Sequence, residues 1–137
     1  MKKLLSFSLA LRVSILITVL LCVLHLAVII GILFFDFAPI EFLWGGRMET
    51  AEQLLSFELS SLISSLVVLF LLLVRSGRLH LAKLMQVSHI AMWVLFVLFI
   101  LNTLGNLLAN SLFEKGFAIV SAILAFCLLR VALEKPE

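Results

Sequence analysis

Apolar residues fill four long blocks of this chain, 13–35, 54–74, 84–104 and 117–133, and nearly every charged side chain falls at their edges or between them. The first block carries no charge if His25 is neutral. At about 1.5 Å per helical residue it reaches roughly 34 Å, enough for a hydrocarbon core of about 30 Å. Each of the other blocks is of comparable length, so the pattern predicts four membrane-crossing helices over about 13–35, 52–74, 84–104 and 115–133. The connections then fall at about 36–51, 75–83 and 105–114, and the whole chain, 1–137, forms a single four-span membrane domain.

Two helix starts are written locally. Thr50 is followed three residues later by Gln53, and Ser111 by Glu114. This spacing lets a hydroxyl accept from a free amide of the first helical turn. A cleavable signal peptide is the rival reading of the first block, since Lys2 and Lys3 follow Met1. Arg12 interrupts the apolar run, the block is too long for a signal, and no small-x-small cleavage site follows, so the segment is expected to remain in the mature protein.

Composition turns this pattern into a statement about solvent. Hydrophobic residues make up 64% of the 137 positions and charged residues 13%, against about 25% charged in a soluble domain. The mean hydropathy is +1.31. Water is not the main solvent of such a chain. The blocks leave no room for a separate soluble catalytic domain of about 100 residues.

Charge placement sets the orientation. With both termini cytoplasmic, Lys2, Lys3, Arg12, Arg75, Arg78, Lys83, Arg130 and Lys135 lie inside, and only Arg47 and Lys115 outside. Basic residues near span ends are retained on the cytoplasmic side, which predicts a protein of the inner (cytoplasmic) membrane with cytoplasmic N- and C-termini. Asp36, Glu41, Glu49, Glu52, Glu58 and Glu114 then collect towards the opposite face.

The chain also matches itself. His25-Leu26-Ala27-Val28 is similar to His89-Ile90-Ala91-Met92, and Phe57-Glu58 to Phe113-Glu114, with further matches of Ile63 to Ile119, Ser65 to Ser121 and Phe70 to Phe126. Read as a repeat, these make two tandem hairpins of the same orientation, with a site between them. Chance matching is the competing account in a chain so rich in Leu, Ile, Val and Phe.

A few polar residues need a reason inside a membrane. His25 stands near the middle of the first span, where an ionisable side chain is costly and faces the bundle interior. It is either a neutral ring bonded to another helix or part of a site. Glu58 lies about 10 Å into the second helix. At that depth a carboxylate is expected to pair with a cation or take up a proton. Arg47, on a loop whose two glycines, Gly45 and Gly46, permit a tight turn, is the expected partner. Glu114 is expected to cap its own helix. Asn102, Asn106 and Asn110 recur every four residues and form one stripe if the third helix runs to the loop. Ser60, Ser61, Ser64 and Ser65 give small-xxx-small spacing, predicting a helix-packing face. Glu58, Ser61 and Ser65 share one side of the helix. Trp44 suits the outer interface.

The candidate polar pocket is therefore Glu58, Arg47, Asn102, Asn106 and His25. No residue is assigned a catalytic role, since no metalloprotease, nucleophile-elbow or phosphate-loop motif occurs. No metal or other cofactor is expected, because the histidines and cysteines have no metal-ligand spacing. Cys22 and Cys127 read as small apolar packing residues. The net charge of +2 and the lack of a basic stripe exclude a nucleic-acid partner. The partners expected are the lipid bilayer, and a second copy or another membrane protein. The function expected is binding or passing a small amphiphile or ion, or serving as an assembly subunit. The alternative is an intramembrane enzyme on a lipid-like substrate, with Glu58 and His25 as acid and base.

Overall fold

A computed structural model describes residues 5–135. Four helices follow one another: α1 (Phe7–Phe35), α2 (Ala51–Arg75), α3 (Ala82–Leu108) and α4 (Leu112–Ala132). All four are long and apolar enough to cross a membrane, and together they make an antiparallel bundle of an integral membrane protein. Lys2 and Lys3, which entered the charge count above, lie outside the described residues.

Helix ends follow local chemistry. α1 starts at Phe7, well ahead of the apolar block, because Ser6 accepts from the Leu9 amide at 3.2 Å and so satisfies an otherwise free donor. At 29 residues the helix is about 43 Å long and overshoots the hydrocarbon core. It stops at Asp36, which takes the left-handed conformation (φ 50°) while its amide and that of Phe37 turn back to the Gly31 carbonyl. Thr50 caps α2 by accepting from Gln53 at 3.2 Å. The Gln53 side chain accepts from the amide of Glu49 rather than Thr50, at 2.9 Å, so the box closes one residue earlier than the standard pattern. Ser111 caps α4 through the Glu114 amide at 3.1 Å.

Around the bundle α1 packs on α2 and α4, and α3 packs on α4 and, least closely, on α2. The two sequence-adjacent hairpins are thus each closed, and the α2–α3 seam is the loosest join. α3 and α4 are bonded across their interface by Thr103 and Ser121, whose hydroxyls lie 3.0 Å apart while each also bonds a carbonyl of its own helix.

The interior differs between the two ends. Near the termini, Ala10, Leu11, Val68, Leu72, Met92, Leu124, Leu128 and Val131 form a continuous buried core. In lipid such packing stabilises by dispersion and close fit, since the alternative contact is equally apolar. Outward-facing Leu16, Leu20, Ile63, Val67, Val97, Leu101, Ile119 and Ile123 are exposed, a surface suited to acyl chains and unsuited to water. At this terminal end two buried arginines clasp the chain's ends. Arg130 donates from Nε to the Leu5 carbonyl at 2.9 Å and from Nη1 to Glu134 Oε2 at 2.8 Å. Arg75 donates to the Glu134 carbonyl and lies 5.0 Å over the Phe7 ring. At the opposite end, which carries the long α1–α2 connection, the bundle is hollow.

Candidate functional site

The hollow end is organised by a turn rather than by a helix. Trp44, Gly45 and Gly46 all have positive φ, at 57°, 70° and 66°. Glycine takes this conformation freely, whereas an indole-bearing residue does so at a cost of about 1–3 kcal/mol. The turn offsets that cost with two hydrogen bonds to carboxylates. Trp44 Nε1 donates to Glu58 Oε1 at 2.9 Å, and the next amide, of Gly45, donates to Glu114 Oε1 at 2.7 Å. Charge-assisted bonds of this kind are about twice as strong as neutral ones. The Trp44 ring also rests on Phe57, with centroids 5.2 Å apart.

Glu58 is 2% exposed. Its second oxygen, Oε2, lies 2.7 Å from His25 Nδ1 of α1. The carboxylate that the sequence marks as costly is therefore held from two sides, by an imidazole and an indole. Arg47 is not its partner. The arginine is exposed, its stem runs beside Gly45, and it forms no ion pair among the described residues. The left-handed turn carries the backbone past Trp44 so that the indole, not the guanidinium, enters the bundle.

Glu114 enters the cap through its backbone amide, which donates to Ser111 Oγ, while its side chain closes no bond on a free amide of its own helix. Its Oε2 lies 3.0 Å from Ser111 Oγ, while Oε1 reaches across to the Gly45 amide. Ser111 Oγ is also 3.2 Å from the Phe42 carbonyl. The long connection is thereby tied to α2 through Glu58 and to α4 through Glu114, so both sequence-matched glutamates end on adjacent residues of one turn. The matched histidines do not follow this symmetry. His89 lies in the terminal half of α3, and its Nδ1 is buried without a hydrogen-bond partner among the described residues.

Beneath the turn lies a cavity of about 490 Å³, within the range of small-molecule sites. Its polar lining is His25, Glu58, Ser60, Ser61, Ser64, Ser65, Asn102, Asn106 and Glu114, and its apolar lining Leu21, Leu24, Val28, Leu43, Trp44, Phe57, Phe99 and Phe117. A second cavity, of about 200 Å³, shares Leu21, Ser64, Ser65, Phe99 and Asn102 with the first and continues along α2 and α3 to Thr18, Val68, Leu95 and Leu98. The space is thus more polar beneath the turn than deeper down, where neither carboxylate nor histidine lines it. From Glu58 to Val68 on α2 it extends about 15 Å by helical rise.

Two expectations change here. The four serines do not press α2 against a neighbour but line the cavity, with Ser60 and Ser64 exposed and their hydroxyls bonded to Ser56 and Ser60 carbonyls at 2.8 Å. The hydroxyls of Ser60 and Ser64 are satisfied within α2, and the small side chains leave room instead of closing it. The asparagine stripe is two residues long, because α3 ends at Leu108 and leaves Asn110 outside the helix. The places of Trp44, Phe99 and Phe117 in this site had no signal in the sequence beyond their aromatic character. Among the described residues no cluster of His, Cys, Asp or Glu could hold a metal ion. No family model, curated protein or solved structure matches the chain.

Proposed function

We propose that this protein binds a small amphiphile within the inner membrane, with the polar head beneath the Trp44 turn and the apolar body along the α2–α3 seam. The observation that carries this reading is the two-part cavity: a head space lined by Glu58, His25 and Asn106 continuing into a slot lined by Val68, Leu95 and Leu98. An ion alone needs no such slot. Entry from the lipid side is supported by the loose α2–α3 seam and by the ties that hold the long connection across the end of the bundle.

Quenching of Trp44 by a bromoalkyl detergent tests the reading. In a Trp93→Phe background Trp44 is the only indole. Saturable quenching that is lost when Ser65→Phe fills the junction of the two cavities is the expected result. Quenching that rises without saturation and ignores Ser65→Phe would remove the proposal.

The orientation belongs to the same reading. Of the described basic residues, Arg12, Arg75, Arg78, Lys83, Arg130 and Lys135 belong to the terminal half, and Arg47 and Lys115 to the other, which favours cytoplasmic termini. With Cys22 and Cys127 replaced by Ala, a cysteine introduced as Glu49→Cys should react with an impermeant maleimide in intact cells. Reaction only after lysis would reverse the orientation.

A second reading, acid–base chemistry on a lipid-like substrate, is favoured by the 2.7 Å contact of His25 with Glu58. Such a contact orients the imidazole, and Nε2 accepts no bond from the described residues, so it is free to exchange a proton with a bound molecule. A lipid species altered by expression of the wild type and not of His25→Asn supports this reading. Identical lipid profiles count against it.

A further inference from the structure

Resting on the amphiphile reading, we infer that the head group is a cation: an amine or quaternary ammonium on an apolar body. The sign of the head space carries the inference. Glu58 and Glu114 both line it, and among the described residues no lysine or arginine does. Arg47, the basic residue of the long connection, is exposed and does not line it, and neither does Lys115, next to Glu114. With both carboxylates ionised, the space is negative whether His25 carries one proton or two.

Each carboxylate accepts one bond on each oxygen: Glu114 from the Gly45 amide and Ser111, Glu58 from Trp44 and His25. A carboxylate offers about four lone-pair directions, so two on each carry no hydrogen bond from the described residues. An ammonium can use them, by hydrogen bonds if it bears N–H and by charge alone if it is quaternary. An anionic head would meet two carboxylates and no described cationic side chain but a protonated His25, so like charges would repel it.

Aromatic rings add to the preference. Trp44, Phe57, Phe99 and Phe117 line the head space, and the face of an aromatic ring attracts a cation most when both are desolvated. The same rings give no such advantage to an alcohol or a carboxylate. Carboxylate and aromatic rings act on one ligand feature, its positive charge.

The test compares three ligands with the same alkyl chain, decyltrimethylammonium, decanol and decanoate, by Trp44 emission in Trp93→Phe protein held in nanodiscs of zwitterionic lipid, with empty nanodiscs as the blank. The cation should saturate the signal at a concentration about tenfold or more below decanol, with no saturation by decanoate. Glu58→Gln should cut the cation's advantage severalfold and leave decanol binding in place. If decanol or decanoate binds as tightly as the cation, the cation inference is overturned while the amphiphile reading stands. If none of the three saturates, both are overturned. Should Glu58→Gln fail to fold, the order of the three ligands on the unsubstituted site decides alone.

Discussion

His25 of α1 and Glu58 of α2 meet at 2.7 Å, 33 residues apart in the chain, with the carboxylate almost wholly buried. The contact joins the two helices within their apolar spans, where an unpaired charge is costly. Breaking it from one side leaves a buried acceptor, which costs about 1–3 kcal/mol. His25→Leu should destabilise by that amount in unfolding titrations with mixed micelles. His25→Leu combined with Glu58→Leu should cost less than the sum of the two single changes, because neither orphan remains. Strict additivity would mean that the pair is not coupled.

Thr103→Val provides the contrast. The Thr103 hydroxyl also has its own Phe99 carbonyl, at 2.7 Å, and interhelical hydrogen bonds in membranes average only about 0.6 kcal/mol. The same titration should move by less than about 1 kcal/mol. A larger effect would indicate that the α3–α4 join depends on this hydroxyl pair rather than on close packing.

Trp44→Phe retains a ring against Phe57 and removes the donor to Glu58. The turn then keeps its positive-φ strain and loses one of the two bonds that offset it. Hydrogen exchange at the Gly45 amide, which bonds Glu114, should accelerate about tenfold or more, for a loss of about 1.5 kcal/mol or more. Unchanged exchange would show that Glu114 and Ser111 hold the turn without the indole.

Asp36→Gly should stabilise the protein. Asp36 is exposed and left-handed at the C-terminal end of α1, where glycine relieves backbone strain and removal of a negative charge suits the helix dipole. The expected gain is about 0.5–1.5 kcal/mol. Asp36→Asn should recover the charge part alone. A loss of stability with both would assign Asp36 a partner in the folded protein.

Arg130→Lys tests the clasp at the terminal end. One ammonium cannot reproduce the planar fork that reaches both the Leu5 carbonyl and Glu134. Proteolysis ahead of α1 should become faster, while the stability of the core around Leu72 and Leu128 stays close to that of the wild type. Equal proteolysis would mean that Arg75 alone holds these segments.

Much of the architecture is legible along the chain because its causes are local. Block lengths give four membrane-crossing helices, and Thr50 and Ser111 announce the starts of α2 and α4 through bonds that span three residues. Ser6 is equally local, but the apolar block beginning at Val13 masks the start of α1. Glu58 and His25 stand out in the sequence because the membrane makes an ionisable side chain costly wherever it falls. Which group answers Glu58 is not local. Arg47 is nearer in the chain, yet the left-handed turn at Trp44 turns the indole inward and leaves the guanidinium outside.

The sequence by itself determined the solvent, the four helices, the two carboxylates and the scarcity of charge, since each depends on residue type and spacing along one segment. The tertiary structure alone decided that His25 meets Glu58, that adjacent residues of one turn hold Glu58 and Glu114, and that the serines of α2 border an open space instead of a packed seam. These outcomes depend on which helix faces meet. In a chain whose faces are all apolar, hydrophobic pattern does not distinguish them, and the fit of side chains between neighbouring helices does.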